Sequence, residues 1–186
     1  MSTQIEPLMT IEDLDAMPDD GHRYEIIEGE LYVSRAPNLK HQRASGNLFA
    51  DLRTYLSMNR IGEVLATPGL TLSQYDGVIP DLVYISYERR DEIASGDRIM
   101  GAPDLVVEIV SPGAENEKRD RIAKRQLYGK YGVKEYWVVD PYQRTVEVYV
   151  LEGQRLTLKA THSEADELTS SLLPGFSCMV ASIFRV

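Results

Sequence analysis

From Leu105 to Val110 the chain sets Leu, Val, Val, Ile and Val around one acid, Glu108, with Pro103 before the run and Pro112 after it. A near-continuous apolar run between prolines reads as a strand covered on both faces. The remaining segments arrange themselves around it. Thr10-Ile11-Glu12-Asp13 has the pattern of a capping box and predicts a short helix through Met17, ended by Pro18 and Gly21. Two β-rich runs from Arg23 to Ser34 flank Glu28-Gly29, which predicts a hairpin. Ala44, Leu48, Leu52, Tyr55 and Leu56 recur at helical spacing, so a helix runs from near Asn38 to Met58. His41 is in phase with that stripe at the first turn, where a capping or core role competes with a functional one. Glu63 to Gln74 predicts two short strands around Pro68-Gly69, and Val78 to Ile85 another with Pro80 near its start.

Ser86 to Gly101 is polar and reads as a short helix or an irregular loop. A polar helix follows the Glu108 strand, from about Glu117 to Tyr131, stopped by Gly132. Glu135 to Asp140 is a strand, Thr145–Leu151 and Arg155–Ala160 a hairpin around Glu152-Gly153, and the tail from Leu168 closes in a short apolar helix. No linker and no solenoid repeat interrupts this order. The expectation is a single domain over residues 1–186 of α/β (α+β mixed) class. It has one mixed sheet flanked by helices, with extra β-hairpins. Residues 1–21 are a peripheral lead-in, and about 23–150 hold the catalytic core.

Composition narrows the function classes. At 43% hydrophobic and 26% charged over 186 residues, the chain is an ordinary globular one. No apolar run nears the roughly 20 residues of a membrane span, and Met1 to Pro7 lacks a signal-peptide pattern. A cytoplasmic location, with no membrane partner and no small-molecule cofactor, is expected. The single cysteine, Cys178, excludes an intrachain disulfide and a thiolate zinc cluster, and reads as core filler. The formal charge of −9 weighs against broad phosphate binding, which relies on Lys and Arg. One basic segment stands out, from Lys118 to Lys134; it reads either as a nucleic-acid contact or as a solvated face paired with Glu115, Glu117 and Asp120.

Glu108 carries the chemistry. A carboxylate inside an apolar strand must be paired, hydrogen-bonded or holding a metal. Asp104 points to the same strand face but lies roughly 13 Å away at about 3.3 Å per residue, too far to share a magnesium ion bound at about 2.1 Å. A second ligand must come from another strand, and Asp81 is the best placed acid, although an Asp capping a turn after Pro80 reads the same way. A cation completes such a site, by orienting water or offsetting charge on a phosphate. Lys124 neighbours the stripe Ala123, Leu127 and Tyr131, so it is expected at the margin between core and solvent, where an ordinary surface lysine would also lie.

Pro80-Asp81, Glu108 in its strand, Lys124, and the phrase Tyr-Gly-Lys-Tyr-Gly-Val-Lys-Glu-Tyr-Trp-Val-Val-Asp-Pro from 128 to 141 resemble a PD-(D/E)XK nuclease. More narrowly, with Tyr24-Glu-Ile-Ile-Glu-Gly-Glu-Leu31, His41 and Pro103 to Pro112, the chain is similar to a bacterial family of restriction-endonuclease-like proteins long catalogued as a domain of unknown function. The superfamily pattern places lysine two residues after the glutamate, where this chain has Val110. The resemblance makes Lys124 the migrated lysine, and Asp81 and Glu108 ligands of Mg2+ (with Mn2+ as a substitute), helped by the Ile109 carbonyl. It implies a metal-dependent endonuclease that hydrolyses DNA with metal-activated water. It also suggests Glu25 as a further acid and His41 as a neighbour of the site. A homodimer would suit cutting two strands. The alternative is an inactive nuclease-fold module for binding or assembly, with Asp81, Glu108 and Lys124 in a metal-free ion-pair network.

Overall fold

The computed structural model describes residues 8–186, so Met1 to Pro7, the start of the expected lead-in, lie outside the described residues. The chain begins with α1 (Ile11–Asp15), capped by Thr10 in the expected box, then β1 (Arg23–Ile27), β2 (Glu30–Ser34) and the long α2 (Leu39–Met58). Next come β3 (Gly62–Ala66), β4 (Leu70–Ser73), β5 (Asp76–Val78), β6 (Leu82–Ser86), α3 (Tyr87–Ile93), β7 (Ala94–Ser95), β8 (Arg98–Met100) and β9 (Leu105–Ile109). The polar helix is α4 (Ala114–Lys118), a π-helical turn Arg119–Ala123, and α5 (Lys124–Tyr131). Then follow β10 (Glu135–Asp140), β11 (Thr145–Glu152), β12 (Arg155–His162), β13 (Glu167–Thr169), β14 (Ser177–Met179) and α6 (Val180–Ile183).

These strands make a mixed six-stranded sheet in the order β12-β11-β10-β9-β6-β3, in which β9 and β10 run parallel and the other neighbours antiparallel. Alternation along β9 divides the interior. Leu105, Val107 and Ile109 face a core closed by Leu48 and Leu52 of α2 and by Val180 and Ile183 of α6. Val106 and Val110 face the opposite core, against Leu127 and Tyr128 of α5 and against Ile27, Leu70 and Val78 from a second layer. Glu108 shares that second face. No helix among the described residues is long and apolar enough to cross a membrane.

The expected single mixed sheet is one of two six-stranded sheets. The outer six-stranded sheet runs β2-β1-β5-β4-β8-β7, and β13-β14 form a two-stranded ribbon. The strands either side of Pro68-Gly69 therefore part company, β3 joining the central sheet and β4 the outer one. Val78–Ile85 is also two strands rather than one. Pro80 has no N–H to give, and the N–H of Ile79 is taken by Glu25 Oε1 at 2.8 Å, so the ladder breaks and β5 and β6 enter different sheets. The polar segment after α3 contains the β7-β8 hairpin, and the last helix is a single turn preceded by the β13-β14 ribbon. Glu28 and Gly29 take positive φ, 53° and 80°, as a two-residue hairpin turn requires. Cys178 is half-buried against the α2 core, and burial pushes its thiol up to about 12.

Candidate active site

The break after Ile79 is what turns Asp81 inward. Its Oδ2 accepts the Ile109 N–H at 2.8 Å and lies 3.1 Å from His41 Nε2, while Oδ1 is 3.3 Å from Arg23 Nη1. His41 reaches it from the first turn of α2, where Asn38 Oδ1 caps the helix by accepting the Lys40 and His41 N–H groups. Asp81 thus ties α2 and β1 to the end of β9.

Glu108 leaves β9 on the α5 side. Its Oε1 accepts from the Tyr128 hydroxyl at 2.7 Å and from Lys124 Nζ at 2.9 Å, and Lys124 Nζ also meets Glu25 Oε1 of β1 at 2.8 Å. Lys124 is buried rather than at the expected margin, because the helix presents Asp120, Lys124, Leu127 and Tyr128 inward as one stripe. The stripe opens inside the π-turn, a geometry frequent at functional sites. Asp120 completes the cluster, with its Oδ1 accepting from Arg119 Nε at 3.0 Å and its backbone carbonyl from the Tyr136 hydroxyl at 2.7 Å.

Glu25, Asp81, Glu108, Asp120 and Lys124 all line one cavity of about 500 Å³. Burial pushes the Glu108 carboxyl up to about 8; Lys124 counters it, and Asp81, Asp120 and Glu25 add to it. Burial alone would lower the Lys124 ammonium, but Glu108, Glu25 and Asp120 hold it above its ordinary value, so it stays charged. Burial also raises Asp81, yet the His41 contact, the Ile109 N–H and Lys124 bring it below the usual carboxylate value. The cavity floor accordingly carries more acid than its buried cation balances, and a proton on Glu108 or an added cation would relieve it.

Among the described residues no three His, Cys, Asp or Glu side chains converge as ligands. Glu25 and Glu108 turn onto Lys124, and Asp81 onto His41 and the Ile109 N–H. The donor chemistry nonetheless fits a hard cation. Asp81 and Glu108 offer carboxylate oxygens, Arg23 is held on Asp81 only by a long contact, and Ile109 lines the same cavity. Asp104 is elsewhere, taking the Ser86 N–H at 2.8 Å and Lys134 Nζ at 2.6 Å.

The structure thus brings Asp81, Glu108, Lys124, Glu25 and His41 together and adds Asp120, Arg119 and Arg23. Asp120 could have been found from its four-residue spacing to Lys124; nothing in the sequence marks Arg23. The basic segment is largely spent in local pairs: Arg121 with Asp140 and Glu147, Lys130 with Glu28, Lys134 with Asp104.

No curated protein matches the chain. The fold is similar to the crystal structure of "a putative nuclease belonging to DUF820" from Anabaena variabilis. The TM-score is 0.76 at 18% identity, over 95% of this chain and 97% of that one. Residues 11–181 match the family Uma2, described as "Putative restriction endonuclease". Family and fold together support a nuclease, and the chain belongs to the Uma2 family.

Proposed function

We propose that this protein is a Mg2+-dependent endonuclease that hydrolyses DNA phosphodiester bonds. The observation that carries the reading is the meeting of Asp81, from the link between β5 and β6, and Glu108 of β9 in one cavity with a buried lysine 2.9 Å from Glu108. A divalent cation held by Asp81 and Glu108, Mg2+ or Mn2+, would supply a Lewis acid for the scissile phosphate and lower the pKa of a bound water. Lys124, fixed between Glu25 and Glu108, orients the attacking water and offsets charge growing on the phosphate. Glu25 acts through Lys124 and also holds the Ile79 N–H, so it sets the lysine's position. His41 and the Ile109 N–H orient Asp81 without occupying Glu108. In this reading the enzyme works in the cytoplasm, as a homodimer.

Nicking of supercoiled plasmid at low salt, with Mg2+, Mn2+ or chelator, tests the reading against the isosteric variants Asp81→Asn and Glu108→Gln. Metal-dependent nicking lost in both variants is the expected result; equal nicking by all three proteins would sink it. The Lys124 pairs with Glu25 and Glu108 favour a second reading, a metal-free ion-pair network in a binding or assembly module. In that case Glu108→Gln changes stability by the same amount with or without Mg2+.

A further inference from the structure

We infer that the strand entering this cavity is unpaired: a single-stranded DNA segment, with bases on an apolar rim and phosphates drawn to arginines inside. The inference rests on the nuclease reading above and names its substrate class. Depth is the first observation. Glu25, Asp81 and Glu108 are each 3% exposed, Lys124 2% and Asp120 1%. A cavity of about 500 Å³ is of a size that encloses one small ligand. The backbone of a duplex lies on the outside of a rod stiff over about 150 base pairs, and such a rod does not fold into the cavity. A single strand bends at every nucleotide and does.

The rim is the second observation. Val33, which lines the cavity, is 52% exposed and Tyr142 44%. Tyr142 is held at the mouth by Asn38, a lining residue whose Nδ2 donates to the Tyr142 hydroxyl at 2.8 Å, and Lys40 Nζ lies 4.9 Å from the ring centroid. The outside of a duplex offers phosphate and sugar, so these two side chains would gain little from it. Unpaired bases stack on such side chains, and an aromatic ring beside a cation is the usual platform.

Charge supplies the third. The chain carries −9, and of the basic residues of α5 and its flanks Arg121, Lys130 and Lys134 are paired with Glu28, Asp104, Asp140 and Glu147 and Arg125 lies over the Tyr149 ring, which leaves no broad stripe for a duplex. Besides Lys124, the cations lining the cavity are three arginines: Arg23 on Asp81, Arg119 on Asp120, and Arg35, exposed at the mouth. A divalent cation on Asp81 and Glu108 would offset the acids of the floor, and phosphate is then drawn to these arginines.

Fluorescence anisotropy with Ca2+ in place of Mg2+, on a labelled single-stranded DNA 30-mer, its blunt duplex, and the RNA of the same sequence, tests the inference by binding alone. The single strand should bind about tenfold tighter than the duplex, and Tyr142→Ala should weaken it about fivefold or more while Tyr142→Phe does not. Equal or tighter duplex binding, or no effect of Tyr142→Ala, overturns the inference; tighter RNA binding overturns DNA as the ligand. A forked duplex with Mg2+ separates the two readings. Cleavage confined to the unpaired arm supports both, whereas strand preference in binding with no metal-dependent cleavage of any substrate removes the nuclease reading alone.

Discussion

Lys124 is the residue on which the site balances. Its ammonium is the buried cation between Glu25 and Glu108, with Asp120 one turn away. Replacing it by Met keeps the bulk and leaves Glu25 and Glu108 without their buried cation, with only the Ile79 N–H and the Tyr128 hydroxyl as partners. Such a change costs on the order of 3–5 kcal/mol. Urea denaturation of Lys124→Met should show that loss at pH 7, and a change under about 1 kcal/mol would mean that the acids take up protons instead. At this scale Glu108, Asp81 and Lys124 were legible because each breaks a pattern: an acid in an apolar run, an acid after a strand proline, a lysine beside an apolar stripe. Arg23 was not, and Asp120 showed only its four-residue spacing to Lys124, because their importance comes from what lies across the cavity. An arginine at the start of a hairpin and an aspartate in a polar helix look like ordinary surface residues until β1, β9 and the π-turn are packed together.

Among the elements, the π-turn Arg119–Ala123 decides whether the helix delivers both Asp120 and Lys124. A π-turn is one residue more than an α-helical turn, and each residue rotates a helix by about 100°. Deleting Ile122, which is exposed, should restore a continuous α-helix. Leu127 and Tyr128 anchor α5 in the core, so α4 would rotate and carry Asp120 out of the cavity. The expected outcome is unchanged helical circular dichroism with nicking abolished; retained nicking would deny the turn its role. Hydrophobic periodicity gave the helix and its Gly132 stop, but a one-residue widening leaves the composition of the segment unchanged. The split after Val78 was hidden for another reason. Pro80 was legible as tolerated near a strand start, and only the Glu25 carboxylate taking the Ile79 N–H shows that the ladder ends there. Asp104 works as a joint between elements, tying β9 to the Ser86 N–H and to Lys134. Burial raises its carboxyl, but Lys134 and Ser86 bring it below its ordinary 3.8. A folded value below the unfolded one adds stability above the unfolded pKa, and that stability is lost as pH falls through the folded value. Glu135, raised by burial, runs the other way: its contribution is present below 4.5 and lost as pH rises through its folded value. Chemical denaturation from pH 6 down to pH 2 should therefore show Asp104→Asn less stable at pH 6 and converging on the wild type in acid, and parallel curves would refute the assignment.

For the whole molecule the decisive quantity is how few phosphates it can hold. The −9 charge repels nucleic acid at a distance, and screening by salt weakens that repulsion and the site's attraction alike. What separates the two is counterion release, which depends on the number of phosphates neutralised at close range. The cavity offers Arg23, Arg35 and Arg119 for that purpose. With about 0.7 counterions released per phosphate on a single strand, three contacts give a slope of log affinity against log salt near −2. Raising salt from about 50 to 200 mM should then weaken binding by about twentyfold, against 10³-fold or more for a protein holding six to ten duplex phosphates. Anisotropy titrations of the single-stranded 30-mer across that range measure the slope. Removing Arg35, exposed at the mouth, should make it shallower by about 0.7. A wild-type slope steeper than about −5 would require phosphate contacts outside the cavity, on a second copy of the chain or on basic residues now paired, and the small apolar-rimmed site could not be the main source of affinity.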